Sequence, residues 1–332
     1  MKVLLYLEAE GFLTKSGIGR AIKHQAKALA LVGQAFTVDP NDDYDLVHIN
    51  TYGIKSWRLM KRAQKQGKKV IMHGHSTEED FRNSFVFSNF IAPFFRRYLC
   101  LFYKTADAII TPTEYSKTLI QNYGITTPIY AISNGIDLTQ YQADPVKEQA
   151  FRDHFQLVRE EKVVIGAGLY FMRKGIDDFV RVARELPEVQ FIWFGETNRW
   201  VIPRKVRRLV SSKHPKNVRF PGYIKGPVYE GAMTGADAFF FPSREETEGI
   251  VVLEALASRQ RLVLRDIPVY HGWISSDSAE LAADATGFKE ALERILSNQS
   301  DKRDAGYAVA QSRNLEQIAK ELINVYQKVM EL

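Results

Sequence analysis

Two glutamates in the second half of the chain, Glu246 and Glu254, are separated by seven residues that include a predicted helix start near Ile250. The apolar run Ala238–Phe241 predicts a strand before them, so a polar strand-to-helix loop lies between. A helix N-terminus offers unpaired N–H groups and a positive dipole end, which together bind phosphate. A carboxylate repels phosphate, so we expect both glutamates to face hydroxyl groups. A site that binds a diphosphate through amide N–H groups and sugar hydroxyls through carboxylates fits a nucleotide sugar.

Two adjacent cations, Arg173 and Lys174, follow the predicted strand Val163–Ala167 and precede a predicted helix. A positive charge at a helix start opposes the helix dipole, so an anion is expected beside the pair. The diphosphate of a leaving nucleotide is a natural candidate, and an ordinary surface pair is the alternative. Residues 220–224 form the end of another strand and the loop after it. The backbone of Ile224 could contact the base of a nucleotide there, and a purely structural role for the loop is the alternative.

Two glycines, Gly17 and Gly19, follow the first apolar run and open the first helical segment. Glycine permits a tight turn and the close approach of a diphosphate. An ordinary loop before a helix is the alternative, since the full dinucleotide fingerprint needs a third glycine that is absent. His75 follows another strand and suits a sugar hydroxyl or a reacting centre, with a structural histidine as the alternative. No further Cys/His cluster supports a metal, so no metal site is expected.

Length and composition favour two domains with good cores, because the chain has 332 residues and 45% of them are hydrophobic. The single cysteine, Cys100, excludes an intrachain disulfide and fits a reducing compartment, most simply the cytoplasm. The short N-terminal apolar run predicts a buried strand and not a signal peptide, and no stretch reaches bilayer-spanning length. The net charge of +6 and the acid-free basic stretches 46–77 and 199–219 favour an anionic partner, with solvated helix faces as the alternative.

Short apolar runs alternate with longer helical patterns, which predicts parallel sheets covered by helices. The predicted strands include residues 2–7, 46–49, 69–73, 108–112, 129–132, 163–167, 189–194 and 238–241. The pattern restarts after a polar break at 137–153. We therefore expect two doubly wound domains, 1–145 and 146–312, with ligands beyond the carboxyl ends of their strands. A final helix within 313–332 is expected to pack back on the first domain.

Together these motifs resemble the retaining glycosyltransferases of family 4, over nearly the whole chain. Each family motif has a counterpart: the E-x7-E signature at Glu246 and Glu254, the R-K-G donor-phosphate motif at 173–175, the glycine loop at Gly17 and Gly19, the N-G-[VI]-D element at 134–137 and the cleft histidine at His75. The resemblance implies the GT-B fold, an α/β architecture of two facing Rossmann-like domains with a cleft between them.

The resemblance also implies roles for these residues. Glu246 contacts the hydroxyls of the donor sugar, Glu254 holds the ribose, and Arg173 and Lys174 neutralise the departing diphosphate. The implied catalytic residues are His75, Glu246, Arg173 and Lys174, and the implied donor-binding residues are Gly17, Gly19, Ile224, Thr247, Gly249, Ile250, Val251 and Glu254. The implied reaction is hexosyl transfer from a UDP-sugar with retention, without a protein nucleophile or a required metal.

One position departs from the family pattern. Many members place an arginine directly after the glycine that ends the first strand of the second domain, where this chain has Leu169 after Gly168. Either Arg173 supplies that charge or the donor phosphate is held more weakly. Glu248 adds an acid close to the expected phosphate site, and the pattern offers no reason for it.

More narrowly, residues 17–25 and 73–82 resemble the Gram-positive enzymes that add a second hexose to glucosyl-diacylglycerol, giving the diglycosyl lipid used in membranes and as a lipoteichoic-acid anchor. That resemblance implies UDP-glucose or UDP-galactose as the donor and a glycolipid as the acceptor. It makes 1–145 the acceptor and membrane domain and 146–312 the nucleotide-sugar domain. It also implies a cytoplasmic protein bound peripherally to the inner face of the cell membrane, without a nucleic-acid partner.

Residues 81–98 support a lipid acceptor independently, because they include six phenylalanines, three arginines and no acid. Aromatic rings beside cations suit the interface of an anionic bilayer. A core or a dimer contact is the alternative for the rings. A basic stripe at helical spacing lies earlier in the chain. The expected membrane and acceptor residues are Arg58, Lys61, Arg62, Phe90, Phe94, Phe95, Arg96 and Arg97.

Other functions stay open at this point. A glycosyltransferase of this fold with a cell-wall or polysaccharide acceptor would share every donor motif. A sugar-nucleotide epimerase would need proton-transfer groups and no acceptor. A nucleic-acid-binding protein is suggested by charge alone and leaves Glu246 and Glu254 unexplained, while a silent scaffold would not need the donor motifs. No residue separates glucose from galactose, fixes the linkage or excludes GDP.

Overall fold

The structure is a computed structural model that describes residues 1–8 and 17–331. Strands and helices alternate along the chain. The strands are β1 (Val3–Tyr6), β2 (Phe36–Thr37), β3 (Leu46–Ile49), β4 (Lys69–His73), β5 (Ala108–Thr111), β6 (Ile129–Ala131), β7 (Val163–Ala167), β8 (Gln190–Phe194), β9 (Val218–Gly222), β10 (Ala238–Phe241), β11 (Leu262–Arg265) and β12 (Glu280–Ala282). The α-helices are α1 (Gly17–Leu31), α2 (Ile54–Lys65), α3 (Glu78–Phe81), α4 (Ser88–Thr105), α5 (Glu114–Asn122), α6 (Pro145–Phe155), α7 (Ile176–Glu185), α8 (Arg204–Ser211), α9 (Pro227–Gly235), α10 (Ile250–Ala257), α11 (Ala285–Leu296), α12 (Arg303–Gln311) and α13 (Leu315–Met330).

The chain divides into two compact units. Unit 1 contains Met1–Glu79, Phe90–Ile136 and Arg313–Leu332, and unit 2 contains Asp80–Asn89 and Asp137–Ser312. The helix that ends the chain therefore groups with the N-terminal residues. The short segment Asp80–Asn89 groups with the second unit, whereas the sequence pattern placed it inside the domain 1–145.

Unit 1 is built on a six-stranded parallel sheet with the order β2-β1-β3-β4-β5-β6. Side chains along a strand alternate between its two faces, and the core divides accordingly. Val3 and Leu5 of β1 pack with α1 and α13, whereas Leu4 packs with α2, α4 and α5. Helices thus bury both faces, which is the usual environment of a parallel sheet.

The last helix, α13, completes the core of unit 1. Asn314 caps its start by accepting a hydrogen bond from the Gln317 N–H at 3.0 Å. Its apolar side chains recur at helical spacing and are buried against the sheet: Ile318, Leu322, Val325, Tyr326 and Val329. Burial of each aliphatic side chain contributes about 1.5–3 kcal/mol. Unit 1 therefore depends on residues at the far end of the sequence.

Unit 2 has its own six-stranded parallel sheet, with the order β12-β11-β10-β7-β8-β9. Counted from β7, this is the doubly wound order of dinucleotide-binding folds. The order reverses between β7 and β10, and such sheets bind ligands at this switch point, beyond the carboxyl ends of the strands. Both strands are buried along their whole length. The loops that follow them, residues 168–175 and 242–249, therefore lie at the ligand-binding edge of the sheet.

The α/β class and the alternation of elements predicted from the sequence are confirmed. α10 begins at Ile250, where the polar loop was expected to enter a helix, and β7 and β10 have the predicted bounds. Within residues 1–8 and 17–331, no helix is both long and apolar enough to cross a membrane.

Candidate functional site

The loops after β7 and β10 meet at the switch point of the unit 2 sheet. Gly175 permits this approach: its φ is +75°, and a Cβ there would lie 2.1 Å from the Pro242 carbonyl oxygen. A residue with a side chain would both clash and be strained in this conformation. The Arg244 N–H also donates to the Arg173 carbonyl at 2.6 Å. Arg173 and Lys174 are therefore held against the loop that follows β10.

Lys174 and Glu246 form a buried ion pair at this contact. Lys174 Nζ donates to Glu246 Oε1 at 2.5 Å, and the Ser243 hydroxyl donates to the same oxygen at 2.6 Å. Arg173 Nη1 approaches that oxygen to 3.8 Å. The side chain of Glu246 is only 7% exposed and that of Lys174 12%. Both charges are thus largely removed from water, and each requires the other as a partner.

Burial and neighbouring charges set the ionisation of this pair. Burial raises the pKa of Glu246, but attraction to Lys174 and Arg173 and the hydrogen bonds to its carboxylate outweigh burial, so the pKa lies below its ordinary value. Burial lowers the pKa of Lys174 to about 8 despite the attraction to Glu246. At neutral pH Glu246 is thus a carboxylate, and Lys174 is a cation that begins to lose its proton at slightly higher pH.

Arg173 is fixed by partners from two separate segments of unit 2. Its Nη1 donates to the Glu245 carbonyl at 2.9 Å, and its Nε donates to the Ser84 hydroxyl at 2.9 Å. The Arg173 N–H also donates to the Asn83 carbonyl at 3.1 Å. Leu169 brings no charge to this loop, whereas the side chains of Arg173 and Lys174 both approach Glu246.

Glu254 lies one turn inside α10 and is buried. Its Oε2 accepts a hydrogen bond from the Tyr229 hydroxyl at 2.9 Å. Gly249 precedes the helix with a φ of +89°, a left-handed conformation that glycine adopts without strain. The first N–H groups of a helix have no partners within it. The start of α10 therefore offers N–H donors on the same loop that carries Glu246.

The other predicted donor residues lie on loops at the same edge of the unit 2 sheet. Thr247 is half-buried in the loop before α10, and Ile250 and Val251 form the first turn of that helix. Ile224 is half-buried two residues after β9. The structure thus places all four at the carboxyl ends of β9 and β10, and the ligand each would contact stays a prediction. Glu248 is buried beside them.

The predicted glycines of unit 1 open α1, which begins at Gly17. The loop before them, residues 9–16, lies outside the described residues. A Cβ at Gly17 would meet nothing within 4 Å, so the described part of the chain gives no steric reason for a glycine there. Gly19 is buried in the first turn.

His75 lies two residues beyond β4 and is buried within unit 1. Its Nε2 lies 2.8 Å from Asn50 Oδ1. Asn50 and Gln25 exchange two amide hydrogen bonds, each 3.0 Å long. The His75 ring stacks on that of His73, with 3.9 Å between the centroids. The orientation of His75 is therefore set by neighbours on α1, β4 and the loop after β3.

The same network continues through His73 and His48 to α13. His73 Nδ1 lies 3.0 Å from His48 Nε2, and His48 Nδ1 lies 2.8 Å from the Tyr326 hydroxyl. Burial lowers the pKa of His48 and of His75 to about 3. Burial also lowers the pKa of His73, and the two neighbouring histidines add to the effect. All three rings are neutral at physiological pH, so His75 is a hydrogen-bonding group there and not a cation.

Helix α4 exposes apolar side chains along one side, beside basic side chains of α2. The two helices pack together through an edge-to-face contact of Trp57 and Phe102, whose ring centroids are 5.2 Å apart. The exposed residues, here called the α4 face, are Phe90, Ile91, Phe94, Arg97, Tyr98 and Leu101 of α4 with Arg58, Lys61 and Arg62 of α2. Six of the eight predicted membrane residues are thus exposed on α2 and α4 of unit 1, and Arg62 Nη2 also donates to the Pro40 carbonyl at 2.6 Å.

The other two predicted membrane residues, Phe95 and Arg96, have partners within unit 1. The half-buried Phe95 ring lies 5.9 Å from that of Tyr52. Arg96 Nη1 lies 3.1 Å from the Glu78 carboxylate, and its guanidinium stacks over Tyr123. Both side chains therefore stabilise the packing of α4 on the unit.

Several residues of these sites were not predicted from the sequence: Ser243, Tyr229 and Ser84 in unit 2, and Gln25 and Asn50 in unit 1. Ser243 lies three residues before Glu246, so its hydroxyl could have been predicted as a hydrogen-bond partner of that glutamate from sequence spacing. The others contact residues far away in sequence, and no local pattern marks them. Among the described residues, no group of three or more His, Cys, Asp or Glu is arranged to hold a metal ion.

Two family models match the chain, Glycosyltransferase Family 4 over residues 12–140 and Glycosyl transferases group 1 over residues 147–312. A processive diacylglycerol alpha-glucosyltransferase of Acholeplasma laidlawii is 48% identical, over 100% of this chain and 99% of the relative. An alpha-galactosylglucosyldiacylglycerol synthase of Streptococcus pneumoniae is 25% identical, over 77% of this chain and 68% of the relative. The structure of Anabaena HepE in complex with UDP-glucose matches with a TM-score of 0.78 at 16% identity, covering 99% of this chain and 100% of that one.

Two doubly wound parallel sheets and the structural match define the GT-B fold. The chain belongs to glycosyltransferase family 4. It is a hexosyltransferase, and the resemblance that the motifs indicated is confirmed. The retaining chemistry implied by that resemblance agrees with the family.

Proposed function

We propose that this chain transfers glucose from UDP-glucose to a diacylglycerol-based glycolipid, with glucosyl-diacylglycerol as an acceptor and a diglycosyl-diacylglycerol as the product. The Lys174–Glu246 pair carries the proposal, because it combines a cation for a diphosphate with a carboxylate for sugar hydroxyls at the switch point. The 48% identity to the Acholeplasma laidlawii enzyme supports glucose and the lipid acceptor. The UDP-glucose bound in Anabaena HepE supports the donor.

The donor-binding roles follow from the chemistry of each group. Lys174, Arg173 and the N–H groups at the start of α10 are the cations and donors suited to the diphosphate. When the Lys174 ammonium group binds the diphosphate, Glu246 loses its hydrogen bond from Lys174 and accepts hydrogen bonds from hydroxyls of the sugar instead. Glu254, oriented by the Tyr229 hydroxyl, accepts hydrogen bonds from the ribose.

Transfer breaks the bond between C1 of glucose and the β-phosphate oxygen. It forms a bond from C1 to the acceptor hydroxyl oxygen on the same face of the ring, and the acceptor proton passes to the departing diphosphate. UDP leaves with the bonding electrons, so no protein nucleophile is needed. Because negative charge grows on the diphosphate, its stabilisation by Lys174 and Arg173 is the main electrostatic contribution of the protein. We infer that these cations make a metal ion unnecessary, so EDTA should not change the rate.

The α4 face supports peripheral binding to the anionic inner surface of the cell membrane. Phe90 and Phe94 are large exposed rings next to exposed basic side chains. Rings of this kind bury in the headgroup region of a bilayer. Each basic residue near an anionic surface adds about 1 kcal/mol of attraction. Several together hold a protein reversibly at the membrane, where a diacylglycerol-based acceptor resides.

UDP affinity is expected to fall as the pH rises through about 8. Diphosphate binding favours protonated Lys174, and burial lowers the pKa of that group to about 8. Below this pKa the protonated form dominates and affinity stays constant; above it, affinity falls by about tenfold per pH unit. Calorimetric titration with UDP between about pH 7 and pH 9 measures the change. Lys174→Arg stays charged over this range and should show little pH dependence, so an equal fall in both proteins would assign the effect to another group.

A transfer assay tests the proposed function directly. Radiolabelled UDP-glucose or UDP-galactose is supplied with vesicles that contain glucosyl-diacylglycerol. Labelled diglycosyl lipid from UDP-glucose is the expected product, and product from UDP-galactose alone would change the sugar. UDP binding without any lipid product would overturn the acceptor and favour the alternative, a cell-wall or polysaccharide substrate.

A further inference from the structure

Unit 2 exposes a cluster of apolar side chains that the proposed donor site does not use. Phe85, Val86 and Phe87 are 37%, 41% and 76% exposed, and Trp200 and Val201 are 83% and 39% exposed. The Val86 N–H donates to the Val201 carbonyl at 2.9 Å. Two loops that are distant in sequence therefore lie side by side. These five residues are called here the Phe87–Trp200 patch.

The loop that carries Phe87 is held in a defined shape. The Asn83 N–H donates to Asn89 Oδ1 at 2.8 Å, and Asn89 Nδ2 donates to Asn83 Oδ1 at 2.9 Å, which closes the base of the loop. Phe87 has a φ of +63°, a left-handed conformation that costs a residue other than glycine roughly 1 kcal/mol. The fold thus keeps both a strained backbone and an aromatic ring in water at one position. A partner that buries the ring would offset these costs.

Basic residues flank the second half of the patch along the chain. Residues 199–219 contain eight lysines and arginines and no acid, and Arg199, Arg204 and Arg208 are exposed. Tryptophan and phenylalanine beside arginine is the composition that enters the headgroup region of an anionic bilayer. Charge and apolar surface therefore both fit an anionic membrane.

We infer that the Phe87–Trp200 patch is a second membrane contact, made of residues of the nucleotide-sugar unit that are not part of the α4 face. The inference rests on the proposed function in one respect, the membrane location of the acceptor. The base of the loop also reaches the donor site, because Arg173 donates to the Ser84 hydroxyl and to the Asn83 carbonyl. Insertion of Phe87 into the bilayer thus connects the membrane to the loop around Arg173, which is proposed to bind the diphosphate.

Vesicle binding of the full-length protein tests the inference. Co-sedimentation is measured with phosphatidylcholine vesicles with and without about one third phosphatidylglycerol. Phe87→Ser with Trp200→Ser should lower partitioning onto the anionic vesicles by roughly tenfold. Val158→Ser is the matched control: Val158 is 60% exposed but precedes the amino end of β7, at the opposite edge of the sheet, so its partitioning should not change. The emission of Trp200 should shift to the blue on vesicles, a shift that Trp200→Phe removes.

Three results would overturn the inference. Unchanged partitioning of the double variant, while Phe94→Ser weakens it, would leave the α4 face as the membrane contact. Weaker UDP binding by Trp200→Ser with unchanged partitioning would assign Trp200 to the adjacent cavity of about 440 Å³, lined also by Tyr170 and Phe220. A dimer that the substitutions dissociate, again with unchanged partitioning, would assign the patch to a second copy of the chain.

An assay in detergent distinguishes a wrong membrane contact from a wrong proposed function. With acceptor dispersed in detergent, the patch variants should transfer glucose at the wild-type rate, because insertion into a bilayer is no longer required. No transfer by any protein, the wild type included, would overturn the proposed function. The partitioning measurements would still decide the role of the patch, since they need no acceptor.

Discussion

Replacing Lys174 with methionine is expected to lower kcat/KM for UDP-glucose by about 10³-fold. Methionine keeps much of the length of the side chain but removes the charge that faces the departing diphosphate. The loss should fall on kcat more than on KM, because negative charge on the diphosphate grows as the transition state forms. Initial rates of lipid glucosylation at several UDP-glucose concentrations measure both constants.

The Lys174→Met variant also leaves Glu246 buried without its lysine, so a loss of stability must be separated from a loss of catalysis. A double variant, Lys174→Met with Glu246→Gln, replaces the ion pair with neutral groups of similar size. Its Tm should return towards that of the wild type, whereas its activity should stay low. Activity restored in the double variant would contradict the role assigned to Lys174.

Ending the chain at Ser312 is expected to prevent unit 1 from folding. The shortened chain lacks four nearly fully buried aliphatic side chains of α13: Ile318, Leu322, Val325 and Val329. At about 1.5–3 kcal/mol each, their burial contributes about 6–12 kcal/mol, which is comparable with the whole stability of a typical domain. Thermal unfolding followed by circular dichroism should retain the transition of unit 2 and lose that of unit 1.

Substitutions within the full-length chain control for the deletion. Val325→Asp places a charge in the same buried surface and should also remove the transition of unit 1. Lys320→Ala changes an exposed residue of the same helix and should unfold like the wild type. A shortened chain with both transitions intact would mean that the core of unit 1 is complete without α13.

Much of the unit 2 site could be predicted because it depends on neighbours in sequence. β7 and β10 are short apolar runs that end in loops, and parallel strands place such loops at one edge of the sheet. Arg173 and Lys174 follow the first of these strands, and Glu246 follows the second. Their contact therefore follows from topology, although the fit of Gly175 against the Pro242 carbonyl is visible only in the structure.

Contacts between distant segments could not be predicted in this way. Arg173 bonds to Ser84, which lies 89 residues earlier in the chain, and no spacing rule connects the two. Phe94 and Phe95 look equivalent in sequence, yet neighbouring residues of a helix point in different directions. Which of them is exposed depends on Tyr52, a partner from another segment. Composition indicated an aromatic and basic surface, but tertiary packing determines which of these side chains are exposed.

Because the segment Arg313–Leu332 belongs to unit 1, the order of synthesis also affects the order in which the two units fold. Domains usually fold in the order in which the ribosome produces them. Here Ser312, the last residue of unit 2, leaves the ribosome before Arg313–Leu332, the last part of unit 1. The unit that contains the N-terminus is therefore the second to complete its core. Until Arg313–Leu332 have left the ribosome, Val3 and Leu5 lack the helix that covers them, so the apolar surface of nascent unit 1 stays open to chaperones after unit 2 is complete.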